Sequence, residues 1–207
     1  VHWYHSFSFK SARNNYKYPY EGASYLRENS GFIQRRFFSK IKLSEQLLNI
    51  SKFSVQVNYN NDHIHLPGRY YHLEPLNFAF ADEKSLFIYQ NSEMSFPGSF
   101  ILKTVNSYNK FDHFLNAENE PYFFIRFKTK NINKVWETHN SVYREFWQQR
   151  FFTEAGFKYR KEKVHMTDFL YPQRSLGKHQ REMAAFTWQN SIKYRIRDFN
   201  VNLSYLH

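Results

Sequence analysis

His63 and His65 are the residues whose types and spacing come nearest to a chemical site. They stand two positions apart in the run DHIHL over residues 62–66, and His72 follows. On a β-strand, positions i and i+2 point to the same face, so the two imidazoles would lie side by side. Neutral imidazoles in that arrangement suit a divalent metal.

This run resembles the His-hydrophobic-His motif of the HUH nucleases and the single-tyrosine transposases. The resemblance implies that His63 and His65 hold a metal that polarises a scissile phosphate. It also implies a nucleophilic tyrosine further along the chain, for which Tyr143 and Tyr159 are the candidates. A single-strand DNA nuclease or transposase is therefore our second alternative.

The same run also fits an ordinary strand, and this is the interpretation that we adopt. Ile64 and Leu66 would then face the core, and the two histidines would form a polar outer face. Ten histidines in 207 residues make a His-x-His spacing common by chance. We therefore expect no catalytic residue and no bound metal.

Other catalytic patterns are missing from the sequence. The chain has no cysteine, which excludes disulfides, thiol catalysis and cysteine-ligated metals. Walker A, GxGxxG and HExxH motifs are absent as well. We expect a protein that is not an enzyme, carries no cofactor and takes no small-molecule substrate.

Charge is the strongest compositional signal. The chain holds 29 Lys and Arg against 18 Asp and Glu, a net charge of +11. Residues 1–60 carry +6, residues 61–120 carry −4 and residues 121–207 carry +9. Basic ends around a mildly acidic middle are typical of proteins that bind a polyanion.

Three basic segments also contain aromatic residues, over 34–40, 157–163 and 193–197. Lys and Arg neutralise phosphates, and aromatic rings stack on unpaired bases with about 1–3 kcal/mol each. The predicted RNA-binding residues are Arg13, Lys17, Arg35, Arg36, Lys40, Lys158, Tyr159, Arg160, Lys161, Lys163, Lys193, Arg195 and Arg197.

These observations predict a structural, rRNA-binding component of a large ribonucleoprotein. The 23 Phe and 16 Tyr have A/T-rich codons, which favours a mitochondrial ribosomal protein of the matrix, with neighbouring proteins as further partners. The alternative is an accessory subunit of a respiratory or ATP synthase complex, whose basic surface would meet proteins and anionic lipid headgroups. No run approaches the ~20 apolar residues of a membrane helix, so we expect no membrane span.

The expected fold class is α+β. We predict an extended basic arm over residues 1–42 and a single α+β domain over 43–207, with a small antiparallel sheet in the middle third. A short helix is predicted over 43–50, and a strand over 53–59 because apolar residues alternate there. Asn60-Asn61 suits a two-residue hairpin turn before a return strand at 62–66.

Further strands are predicted over 76–80, 86–90, 100–105 and 121–128, with turns at 82–84 and 96–99. In the C-terminal third, apolar residues recur every three or four positions from Val135 to Phe151. This spacing predicts a helix of about twenty residues that ends at Gly156. A second helix is predicted over 176–192, which completes a C-terminal pair.

Overall fold

Most of the described strands belong to one long antiparallel sheet. The computed structural model describes residues 1–13, 16–20, 22–27, 31–43, 50–65, 79–118, 126–146, 151–196 and 199–206. The main sheet has nine strands in the order β1-β4-β5-β6-β7-β8-β9-β10-β11, and β2 and β3 form a separate pair. The strands are β1 His2–Ala12, β2 Tyr16–Tyr20, β3 Ala23–Arg27, β4 Phe32–Leu43, β5 Ile50–His65, β6 Phe80–Phe96, β7 Phe100–Asn116, β8 Lys128–Phe146, β9 Phe151–Asp168, β10 Gly177–Ile196 and β11 Phe199–Leu206.

A tight turn joins β6 to β7, and the prediction of a turn at 96–99 is confirmed. Gly98 and Ser99 both have positive φ, at +80° and +63°. Glycine adopts that region without strain, since it has no Cβ. The turn fixes the pairing of β6 with β7 over their whole length, from Phe96↔Phe100 to Phe80↔Asn116.

The connection from β9 to β10 is built around a buried aspartate. Oδ1 of Asp168 accepts hydrogen bonds from the backbone N–H groups of Leu170 at 3.0 Å and Tyr171 at 2.9 Å. The Asp168 N–H donates to Oγ of Ser175 at 2.8 Å. A short 3-10 helix, Pro172–Arg174, lies between these contacts. The aspartate thus satisfies the backbone groups of the turn that reverses the chain.

The predicted α+β class is wrong, because no α-helix occurs in the described residues. The long helix predicted from Val135 falls on β8 and β9, and the helix predicted over 176–192 falls on β10. In β8, Thr138 and Asn140 interrupt the apolar side chains on one face, while Val135 and Tyr143 stand on the other. Because apolar residues occur on both faces, they do not alternate strictly along the sequence. Their spacings of three and four residues match those of an amphipathic helix.

The extended arm of that fold class is also absent, since β1 and β4 both belong to the main sheet. The turns predicted at 60–61 and 82–84 are wrong, because these residues lie inside β5 and β6. The strands predicted over 86–90 and 100–105 are confirmed within β6 and β7.

Some predictions fall partly outside the described residues. Positions 44–49 of the short helix lie there, as do 76–78 and 121–125 of two predicted strands. The two ends of the predicted helix, Leu43 and Ile50, are strand residues of β4 and β5.

No second layer covers either face of the sheet in the parts that the structure describes. Among the residues whose burial is described, the buried apolar ones are three alanines, Ala79, Ala81 and Ala117, and no large side chain is fully buried. The accessible surface is 15084 Å², against about 10,000 Å² for a compact protein of this mass. Both broad faces of the sheet are therefore accessible, and their side chains determine what the protein can bind. None of the described segments forms a helix with the length and apolar character needed to cross a membrane.

Candidate functional site

The strand register divides the side chains between two faces. Residues directly opposite each other on neighbouring strands share a face, and successive residues alternate. Phe7, Phe37, Tyr59 and Leu86 are opposite one another in turn, and we call their side of the sheet the apolar face. The other side, which carries the paired residues Glu137 and Arg160, is the polar face.

Large exposed apolar side chains are concentrated on the apolar face. Of sixteen such side chains on the described strands, thirteen point to it. They are Trp3, Phe7, Phe9, Ile33, Phe37, Ile41, Tyr59, Phe96, Phe100, Trp136, Val142, Phe186 and Trp188. The remaining three are on the polar face: Tyr4, Phe111 and Met183.

The central strands carry an apolar band with aromatic residues at both borders. On β8 this band extends from Trp136 to Phe146, which is about 33 Å along the strand at 3.3 Å per residue. At one border the Trp136 ring packs against Tyr159 with centroids 5.5 Å apart. At the other, the Arg144 guanidinium lies 4.4 Å from the ring centroids of both Phe100 and Phe146.

The middle of the apolar band contains polar but uncharged side chains that bond to one another. Asn106 Nδ2 donates to Gln90 Oε1 at 2.6 Å, and Gln90 Nε2 donates to Ser92 Oγ at 3.0 Å. On β8, Asn140 Nδ2 donates to Thr138 Oγ1 at 3.2 Å. Such bonds reduce the cost of taking amides out of water.

The polar face holds a chain of ion pairs across β8, β9 and β10. Glu137 pairs with Lys158 at 3.0 Å and with Arg160 at 3.5 Å. Glu162 pairs with Arg160 at 3.8 Å and with Arg181 at 2.9 Å. Exposed pairs like these contribute about 0–1 kcal/mol each. Two carboxylates thus pair with three cations across these strands.

Three lysines meet on the apolar face where the band ends. Lys110 of β7 is directly opposite Lys134 of β8, which is directly opposite Lys163 of β9. We call these three residues the lysine row. Sequence reasoning selected only Lys163, because the three positions are far apart in the chain and come together through strand pairing.

The histidines of the opening motif lie beyond that border, also on the apolar face. His63 Nδ1 is 2.5 Å from Asp82 Oδ1, and the His63 and His65 rings meet edge to face at 4.7 Å. Across the described residues, no group of three His, Cys, Asp or Glu side chains is placed to hold a metal. Tyr143 lies on the polar face and Tyr159 lies four strands away on β9. The residues of the nuclease hypothesis are therefore not brought together.

Partial burial lowers the pKa of His65, and the neighbouring His63 lowers it further, while Asp82 acts in the opposite direction. The folded protein therefore favours neutral His65. We expect unfolding to become easier as the pH falls from 6.5, the ordinary histidine value, through the lower pKa of the folded state. His65→Gln should flatten the pH dependence of the urea midpoint in that window. An unchanged pH dependence in the His65→Gln variant would contradict this assignment.

The predicted RNA-binding residues do not form one surface. The apolar face carries Arg35, Tyr159, Lys161 and Lys163, and the polar face carries Arg36, Lys40, Lys158 and Arg160. Arg13 and Lys17 are exposed near β1 and on β2, Lys193 and Arg195 belong to β10, and Arg197 lies outside the described residues.

The two faces, and the lysine row at the border of the band, are the features from which a function can be argued. No protein-family model, curated protein or solved structure matches the chain.

Proposed function

We propose that this chain is a membrane-embedded structural protein. Its apolar face contacts lipid hydrocarbon, and its polar face is turned toward water. The observation that supports this most is the distribution of exposed large apolar side chains, of which thirteen of sixteen on the described strands share one face.

The energetic argument concerns the cost of leaving that face in water. Moving one large apolar side chain out of water contributes about 1.5–3 kcal/mol. Contiguous apolar patches of more than a few hundred Å² are rare on proteins whose surfaces face only water. Phe186 has 81% of its surface exposed and Phe7 has 70%, so the sheet leaves most of these two side chains uncovered. An apolar medium would supply the missing burial.

The dimensions of the band agree with those of a bilayer. A strand that crosses hydrocarbon at about 45° needs about 9–11 residues, and the band on β8 has both aromatic borders within Trp136–Phe146. The cationic border is oblique to the strands. It passes through Lys84 on β6, Lys110 on β7, Lys134 on β8 and Lys161 on β9. Lys110 and Lys134 are directly opposite each other, and the border moves by two residues along the register between β6 and β7 and again between β8 and β9. An oblique border is what tilted strands present to a flat membrane.

Backbone hydrogen bonding supports the same proposal. In hydrocarbon each unpaired N–H or C=O costs several kcal/mol. The seven strands from β4 to β10 each pair with a neighbour on both sides. Their long antiparallel ladders satisfy most of the main chain without help from water.

The test uses the absence of native cysteine. Val142→Cys on the apolar face and Val105→Cys on the polar face are matched substitutions at similar positions along the paired strands β8 and β7. Each variant of the full chain carries a nitroxide label and is reconstituted into phosphatidylcholine vesicles. We expect the label at 142 to be relaxed by dissolved oxygen, which concentrates in hydrocarbon. The label at 105 should be relaxed by a water-soluble nickel chelate.

Two outcomes would contradict the proposal. One is a label at 142 that the nickel chelate reaches as easily as the label at 105. The other is protein that remains outside the vesicles under every reconstitution condition that keeps its β-structure.

The rRNA-binding hypothesis, with its mitochondrial location, stays a prediction. The net charge of +11 favours it, and the division of the predicted residues between two faces weakens it. Sedimentation of the native protein from a detergent-cleared lysate separates the two proposals. If the protein migrates with ribosomal particles and RNase abolishes this migration, the rRNA-binding hypothesis is favoured. If RNase does not change the migration, the membrane proposal is favoured.

A further inference from the structure

We infer that the lysine row is a binding site for the phosphate groups of anionic lipid headgroups. This inference rests on the proposed membrane function, and it specifies which class of lipid binds at the border of the apolar band. The row consists of Lys110, Lys134 and Lys163 on three adjacent strands.

The register itself creates an electrostatic problem. Directly opposite residues of an antiparallel pair have Cβ atoms about 4.5–5.5 Å apart, and like charges in such pairs destabilise the sheet. Lys134 has a lysine opposite it on both sides. An anion with several oxygen acceptors, placed over the row, would convert this repulsion into attraction. A phosphate group has that charge and those acceptors.

The nearest acidic side chains on the same face already have other partners. Asp112 pairs with Lys130 at 3.8 Å, and Glu182 pairs with Lys161 at 2.6 Å. No ion pair involves the three row lysines among the described residues. The polar face differs, because Glu137 and Glu162 there form ion pairs with the cations directly opposite them, Arg160 and Arg181.

Aromatic residues place the row at the depth of headgroups. Tyr108 and Trp136 are opposite each other in the next pair of the apolar face, two residues toward the band. Tyr and Trp are enriched where hydrocarbon meets water, since one end of each ring is apolar and the other is polar. Lysine stems extend along apolar surface and deliver their ammonium groups to the interface. Lys134 and Lys163 are exposed and Lys110 is half-buried, so the ammonium groups can reach a phosphate outside the sheet.

The experiment measures lipid selectivity at the surface of the reconstituted full chain. Spin-labelled phosphatidic acid and spin-labelled phosphatidylcholine are each added to phosphatidylcholine vesicles, and the motionally restricted fraction is compared. Each lysine near the membrane surface strengthens binding to anionic lipid by about fivefold. The wild-type chain should therefore prefer phosphatidic acid over phosphatidylcholine by at least about tenfold. A triple variant, Lys110→Gln with Lys134→Gln and Lys163→Gln, should lose most of that preference.

The control removes three cations from the polar face, with Lys103→Gln, Lys158→Gln and Arg181→Gln. It changes the net charge equally and should keep the preference. Equal loss in both triple variants would show a general charge effect and overturn the inference. So would a preference that excess inorganic phosphate abolishes, because the site would then bind free phosphate instead of lipid.

The oxygen accessibility of a label at Val142→Cys, measured in the same vesicles, separates the two proposals. A label in hydrocarbon together with no lipid preference would reject the lysine site alone. A label in water would reject the proposed membrane function, and the lysine site, which depends on that function, would be rejected with it. We expect hydrocarbon at position 142 and a preference for phosphatidic acid that depends on Lys110, Lys134 and Lys163.

Discussion

Val142→Arg is expected to destabilise the membrane-inserted protein by about 2–4 kcal/mol, the cost of an arginine on a lipid-facing strand near the bilayer midplane. Val142 lies on the apolar face with 45% of its surface exposed, well inside the borders that Trp136 and Phe146 mark on β8. An arginine there would stand directly opposite Leu102 and Ala155, on the face that contacts hydrocarbon. The measurement is the denaturant dependence of unfolding from vesicles, with β-structure followed by circular dichroism.

Val105→Arg is the matched control for that variant. It makes the same substitution on the neighbouring strand, where the side chain points to the polar face opposite His139 and Asn91. We expect a cost of about 1 kcal/mol or less, as for other changes at surface positions. Equal costs at 142 and 105 would mean that both faces meet the same medium, which the membrane proposal does not allow.

Gly156→Val is expected to destabilise the sheet by about 1–3 kcal/mol, through overpacking. Gly156 lies on the polar face of β9, directly between Ser141 and Thr187. A Cβ at this position would stand 2.6 Å from Thr187 Oγ1 and 3.0 Å from His139 Nε2. Both distances are shorter than ordinary van der Waals contact, so neighbouring side chains would have to move. Urea unfolding monitored by circular dichroism measures the change.

Two further variants separate crowding from a general effect of valine in β9. Ala155→Val places the larger side chain at the next position, on the exposed apolar face, and should change stability by about 0.5 kcal/mol or less. Gly156→Ala should be less harmful when it is combined with Thr187→Ala, with a coupling of about 0.5–3 kcal/mol between contacting sites. Independent effects of these two substitutions would reject the proposed contact.

Local sequence chemistry was sufficient for only part of the fold. The turn at 96–99 was predictable because Pro97 and Gly98 favour a reversal whatever surrounds them. The strands over 86–90 and 100–105 were predictable from aromatic and β-branched residues near that turn. The turn predicted at Asn60-Asn61 failed because backbone pairing on both sides of β5 outweighs the turn preference of asparagine.

The C-terminal helices failed for a related reason. Apolar residues stand on both faces of β8, with Val135 and Tyr143 on one and Trp136 and Val142 on the other. Spacings of three and four residues then arise as easily as spacings of two. Length made the error worse, because strands of 17–20 residues, such as β7, β8 and β10, exceed the usual 5–6 and suggest helices instead.

The sequence by itself determined the chemical inventory of this protein: no cysteine, a net charge of +11, and abundant phenylalanine and tyrosine. It also determined the turn at Gly98, because that preference is local. Only the tertiary structure decided which side chains share a face, since a shift of one residue in strand register moves every side chain to the opposite side. Lys110, Lys134 and Lys163 are therefore neighbours in the folded sheet and are unrelated in the chain.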